Sequence, residues 1–152
     1  HRVCTRSVTD QAVLFLKAEL LKKVCKEYNL TVMEADVISF LQNNPGKDTA
    51  TDIVELRRLS KGAVSKAVEG LIQKSLLERI PDMEDRRRIH LKLKTEAKPV
   101  ITMINEVRED FYSVVFRGIT EEELEIQARI LRQMFDNTKI AMEEGINNGT
   151  DR

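Results

Sequence analysis

Two short stretches, "LLERI" (Leu76 to Ile80) and "IHLKL" (Ile89 to Leu93), do most to limit what this chain can fold into. The second alternates strictly. Ile89, Leu91 and Leu93 fall on one side, and His90, Lys92 and Lys94 on the other, which is the period of a half-buried strand. The stretch between them carries "DMEDRRRIHL" from Asp82 to Leu91, with three acidic residues leading into three arginines. Two strands joined by a charged loop make a hairpin with the arginines near its tip. Everything else reads as helix, so the expected class is mostly α with one small β-hairpin.

The helical pattern is regular. Val13, Leu16, Leu20 and Val24 recur three and four apart, which predicts an amphipathic helix over roughly 8–28. Thr31 predicts the cap of a second helix, whose apolar face is Met33, Val37, Ile38 and Leu41. "NNPGK" breaks the chain after it. A short helix over about 51–57, presenting Ile53, Val54 and Leu56, is followed by a two-residue turn at Arg58 and Leu59. Ser60 then caps a longer helix to about Ser75, with Val64, Val68, Leu71 and Ile72 at core spacing. Beyond the hairpin, Thr95 is placed to cap a helix striped by Val100, Ile104, Val107, Phe111 and Val115, and Pro99 falls near its first turn, where it is tolerated. Gly118 interrupts the chain. "TEEE" (Thr120 to Glu123) is a capping box for a last helix striped by Leu124, Ala128, Leu131 and Phe135. The tail "GINNGTDR" is expected to fray. One domain over 1–152 is expected, with no repeat and no linker.

Helix, tight turn, helix and two-stranded ribbon, in that order, is the layout of a winged helix-turn-helix. The second helix of such a pair enters a DNA major groove by its N-terminal end. Here that end is Ser60, Lys61, Gly62, Ser65 and Lys66. Gly62 and Ser65 are small enough for close approach, and Lys61 and Lys66 can reach phosphates or guanine edges. The helix N-terminus also favours a phosphate. The ribbon tip presents Asp85, Arg86, Arg87 and Arg88 to the flanking minor groove, whose negative potential attracts arginine.

Charge supports this placement. The chain of 152 residues is neutral overall, with 25 basic and 25 acidic residues. From Arg57 to Lys94, however, eleven Lys/Arg face five Asp/Glu, so one segment is basic and its flanks are acidic. A solvated charged face would account for the surplus alone, but not for its coincidence with the helix pair and the ribbon tip. A winged-helix module that binds only protein would not need that concentration of charge.

The chain resembles the multiple-antibiotic-resistance regulator (MarR) family from about Val13 to Phe135. The resemblance rests on "NLTVMEADVI", "DIVELRRLSKGAVSKAVEGLIQKSLLER" and "DMEDRRRIHLKLKTEA". It implies a winged-helix transcriptional regulator, usually a repressor, that acts as a homodimer on double-stranded DNA at a palindromic operator. The first and last two helices, 8–28 and 95–144, would form the dimer interface, and 31–94 the DNA-binding lobe. Arg87 would be the minor-groove arginine, with Asp85 as its ion-pair partner and Arg86 and Arg88 as backbone contacts. The chain departs from the family pattern at Arg58 and Lys98, where many members have glycine.

The resemblance also implies a small aromatic or phenolic effector in a crevice beside the dimer helices. Tyr28, Met33, Phe40 and Phe111 are the candidates to line it. A thiol-sensing variant is the alternative, but Cys25 and Cys4 do not stand where that branch has its cysteine. His1, His90 and the two cysteines have no metal-ligand spacing. The carboxylates of "DMED" and "TEEEL" lack a histidine or nucleophile partner, so no enzyme and no cofactor is expected. No apolar run approaches membrane-spanning length, and a cytoplasmic address is expected.

Overall fold

Four side chains set where helices begin in the computed structural model, which describes residues 2–145, with side chains from 11 onward. Thr31, Thr49, Ser60 and Thr120 each accept the N–H of the residue three further on. They open α2 (Val32–Asn43), α3 (Ala50–Arg57), α4 (Lys61–Gln73) and α6 (Glu121–Glu144). Thr120 and Glu123 form the predicted capping box. A second box, Thr49 with Asp52, starts α3 slightly earlier than the sequence suggested. Its third residue is Asp rather than the usual Glu or Gln, which hid it. The remaining elements are α1 (Arg2–Tyr28), β1 (Leu77–Pro81), β2 (Ile89–Leu93) and α5 (Lys98–Val115). Helix α1 therefore starts six residues before the predicted Val8. Thr95 does not cap α5 as expected. It begins a single 3-10 turn, where Ala97 N–H bonds to Lys94 O and Lys98 N–H to Thr95 O, so backbone carbonyls take the donors a cap would have served. Of the tail predicted to fray, 145–152, Gly145 is the C-cap of α6 and 146–152 lie outside the described residues, as do the His1 and Cys4 side chains.

Three helices end on a non-glycine residue in the left-handed region: Asn29 after α1 (φ 51°), Arg58 after α3 (φ 54°) and Ser75 after α4 (φ 59°). In each case the next N–H reaches back five residues, from Leu30 to Cys25, Leu59 to Val54 and Leu76 to Leu71. That bond closes the helix end and turns the chain sharply. A Cβ in this region costs about 1–2 kcal/mol. Ser75 is exposed. Ser75→Gly should therefore stabilise the protein by about 1 kcal/mol, raising Tm by roughly 2–4 °C; an unchanged or lower Tm in a thermal melt would show that the turn is not strained. Lys98 takes ordinary right-handed helical angles, so no glycine is needed there.

The chain divides into two compact units, the first ending at Val115 and the second beginning at Phe116. In the first, α1 packs on α5, and α2 on α1, α4 and α5. The core between them holds Val24, Val37, Ile38, Ile53, Val64, Leu71, Leu77 and Val100, each almost fully buried. These are largely the positions that the sequence spacing selected. The strands pair antiparallel, with Leu77 opposite Leu93, Arg79 opposite Leu91 and Pro81 opposite Ile89. Leu77 and Leu91 anchor the hairpin in the core. Ile89 departs from the predicted alternation and is 42% exposed. It pairs at the open end of the ribbon, beyond the reach of the core. In the second unit, Gly118 (φ 79°) shapes the turn before α6. No described residue of α6 is buried.

Candidate nucleic-acid interface

The turn between α3 and α4 is Arg58 and Leu59, as predicted, and Arg58 supplies the left-handed step that glycine would make easily. It leads straight into the Ser60 cap. Because Val64, Ala67, Val68 and Leu71 hold one side of α4 in the core, its opposite side faces solvent. Ser60, Lys61, Gly62, Ser65 and Lys66 are all exposed there. A Cβ built on Gly62 would meet nothing within 4 Å, so packing within the chain does not require glycine at this place. Ser65 and Lys61 share a concavity of about 490 Å³ with Thr51 and Glu55 of α3 and with Arg79, Ile89 and Leu91 of the hairpin. Helix pair and wing thus border one hollow. Arg79 of β1 also pairs with Glu69 of α4, which ties the first strand to the same helix.

The wing loop has defined backbone bonds. Asp82 Oδ1 accepts the N–H groups of Glu84 (2.8 Å) and Asp85 (3.0 Å). Asp82 N–H donates to Arg88 O, and Arg88 N–H to Asp85 O, both at 2.9 Å. Arg86, Arg87 and Arg88 emerge exposed from this loop. Asp85 is beside Arg87, but not as the expected ion pair. Its Oδ1 accepts the backbone N–H of Arg87 at 3.0 Å, and among the described residues no ion pair joins Asp85 to the arginines. The short Asp side chain reaches the amide two residues on more easily than a guanidinium beyond it. Asp85 shapes the turn and leaves the Arg87 head free to point outward.

Sequence reading missed the base of the wing. His90 lies between two carboxylates, with Nδ1 2.7 Å from Asp48 Oδ1 and Nε2 2.7 Å from Asp82 Oδ2. The bond to Asp48, then that to Asp82, raises its pKa above the ordinary histidine value. The Asp82 carboxyl is held well below the usual range, chiefly by the Asp85 N–H and then by His90. The period-two pattern put His90 on the solvent side, and no local signal points to Asp48, which is 42 residues away.

A second cavity, of about 450 Å³, opens between α1, α2, the end of α3 and α5. Phe40 and Phe111 line it, together with Leu21, Ile104, Val107 and Tyr112. Its charged rim is Lys17, Asp36, Arg57 and Arg108, and Arg57 pairs with Asp36 at 3.3 Å. Tyr28 and Met33 do not line it; both pack half-buried against the core. Cys25 is half-buried, and its thiol pKa is pushed up by burial and then by Glu34 and Asp36, which disfavours the reactive thiolate. Among the described residues, no cluster of His, Cys, Asp or Glu could hold a metal ion, and no helix is long and apolar enough to cross a membrane.

A capped helix, a tight turn and a second helix with an outward N-terminal face, followed by an arginine-tipped hairpin, define a winged helix-turn-helix lobe. Residues 28–88, which span most of this lobe, match the model of the MarR family. No curated protein matches the chain. Among solved structures, the chain is similar to a MarR-family transcriptional regulator from Silicibacter pomeroyi at 19% identity and TM-score 0.75, covering 88% of each chain. It is similar to a mutant of S. aureus MepR bound to an oligodeoxyribonucleotide at 18% identity and TM-score 0.58, covering 88% of this chain and 97% of that one. A third likeness is to BpsR of Bordetella bronchiseptica, whose DNA binding is regulated by 6-hydroxynicotinic acid (19% identity, TM-score 0.66, 86% and 92% covered). The fold is that of the MarR transcriptional regulators.

Proposed function

We propose that this chain is a sequence-specific regulator of transcription that binds double-stranded DNA. The observation that carries the reading is the shared hollow. The exposed face of α4 and the strands of the arginine-tipped wing border it together, and the segment from Arg57 to Lys94 holds the basic surplus of a neutral chain. Ser60, Lys61, Gly62, Ser65 and Lys66 enter a major groove, and Arg87, flanked by Arg86 and Arg88, enters the adjoining minor groove.

The protein acts as a homodimer on a palindromic operator, with 31–94 as the DNA-binding lobe and 8–28 and 95–144 as dimer helices. Each unit supports this separately. Leu14 and Phe15 of α1 are 65% and 66% exposed, and Phe135 of α6 is 61% exposed in a helix with no buried residue. Apolar surface on this scale marks a partner surface. The outcome of binding is repression, relieved when a small aromatic or phenolic anion enters the cavity lined by Phe40 and Phe111. Its apolar walls suit a ring and its Lys17, Arg57 and Arg108 rim suits an anion. MepR bound to an oligodeoxyribonucleotide and BpsR regulated by 6-hydroxynicotinic acid are precedents for both parts.

The test is selection of bound duplexes from a random library, followed by anisotropy titration of the recovered fragment at several salt concentrations. Two chains per duplex and a palindromic motif are expected. Arg87→Ala should weaken binding and lower the slope of log K against log salt by roughly one unit per subunit. Equal affinity and slope for wild type and Arg87→Ala would mean that the wing does not touch DNA.

A further inference from the structure

We infer that His90 is a positioning residue for the wing, and that its imidazolium clasps the hairpin to the helix-turn-helix so that DNA affinity depends on pH. This rests on the DNA-binding reading above and names a control on that same interface.

The geometry requires two donors. Both ring nitrogens lie 2.7 Å from carboxylate oxygens, Nδ1 against Asp48 and Nε2 against Asp82. A neutral imidazole donates from one nitrogen only, so the pair of bonds is complete only in the charged ring. The two carboxylates belong to different parts of the lobe. Asp48 precedes the Thr49 cap of α3, and its carbonyl also accepts the Leu91 N–H at 2.7 Å. Asp82 anchors the loop from which the arginines emerge, through the N–H groups of Glu84 and Asp85. His90 therefore joins the loop that aims Arg86, Arg87 and Arg88 to the first helix of the pair. The charged groups facing it are Asp48 from the segment before α3 and Asp82 from the wing loop. Its cross-strand neighbour on β1, Ile80, is uncharged, and the next residue on its own strand face is Lys92.

The direction of the pH effect follows. Both bonds favour the protonated ring, so the folded pKa lies above the ordinary value of 6.5. The clasp is complete below that ordinary value and is lost as pH rises through the raised pKa. DNA affinity should be steady below the ordinary histidine pKa and fall as pH rises beyond it. The described Cys25 titrates above its ordinary value, outside this window.

Anisotropy titrations on the selected operator fragment from pH 6 to pH 9 test this for wild type, His90→Gln and Asp48→Asn. Wild type should lose about fivefold in affinity across the range, the effect of one net hydrogen bond. His90→Gln should bind weakly and without that pH dependence. Asp48→Asn separates the clasp from plain charge. Removing an acidic residue near DNA should tighten binding by charge alone, whereas loss of the clasp should weaken it and move the midpoint to lower pH. Tighter or unchanged binding by Asp48→Asn overturns the proposal. The chain has two histidines, so proton NMR of wild type against His90→Gln assigns the His90 titration directly. A His90 pKa at or below 6.5 also overturns it. Wild-type binding that is strong but flat with pH rejects the clasp alone, while no binding to any duplex rejects the DNA-binding reading and the clasp together.

Discussion

Ser65→Glu should reduce affinity for the operator by about 100-fold or more while leaving the fold intact. Ser65 is exposed, one turn into α4, and borders the hollow shared with the wing. A helix entering a major groove at this end brings residue 65 against phosphates or base edges. A carboxylate there meets like charge in a partly desolvated gap, which costs several kcal/mol. The effect on the free protein should be small. Glu at 65 gains Lys61 four residues before it and loses against Glu69 four residues after, and each such pair is worth only about 0.2–0.5 kcal/mol. Arg79, which lines the same hollow and already holds Glu69, further offsets the added charge. Tm should therefore move by less than about 2 °C. Retained operator affinity would remove α4 from the groove. A collapsed fold would mean that residue 65 faces the core.

The largest stability effect expected is from Lys74→Met. Glu34 is a carboxylate with only 5% of its surface exposed, at the start of α2. Its Oε2 lies 2.6 Å from Lys74 Nζ, which also donates to the Asn29 carbonyl at the end of α1. The ammonium thus joins the ends of α1 and α4 to the start of α2. Residue 70 is glycine on the facing turn, and a Cβ there would sit 2.6 Å from Glu34 Oε1, so the carboxylate would have to shift to admit one. Removing Lys74 leaves a buried charge unpaired, and such losses cost about 3–5 kcal/mol. Lys74 is 30% exposed, and water can reach part of the site, so about 2–3 kcal/mol is expected. Replacing both partners, Glu34→Leu with Lys74→Met, should restore much of the loss, because no orphan charge remains. Urea unfolding of the four proteins at one fixed concentration completes the cycle, since dimerisation would otherwise shift the midpoints. A single mutant within 0.5 kcal/mol of wild type would show that the pair contributes nothing to stability.

The local features of this protein were legible from its residues. Thr31, Ser60 and Thr120 start their helices because a cap needs only the amide three residues on. The alternation of "IHLKL" located β2 at Ile89–Leu93, and the core spacing in α4 put Lys61, Gly62, Ser65 and Lys66 on the outer face. Where a competing local bond was available, the reading failed. Thr95 yielded to backbone bonds in a 3-10 turn, and Asp85 took an amide rather than a guanidinium.

By itself, then, the sequence determined the order of elements, the caps of α2, α4 and α6, the face of α4 that turns outward and the position of the arginine triplet. These depend on contacts within a few residues and on burial periodicity, which any window of the chain displays. Only the tertiary structure decided that Asp48 meets His90, 42 residues away, that Lys74 meets Glu34 across 40 residues, and that Phe40 and Phe111, but not Tyr28 and Met33, line one cavity. Those meetings are set by how α2 packs against α4 and α5 and where the hairpin lies against α3. Each polar partner gains its energy only after that packing has brought it within hydrogen-bond reach, so nothing in its own neighbourhood of the chain announces it.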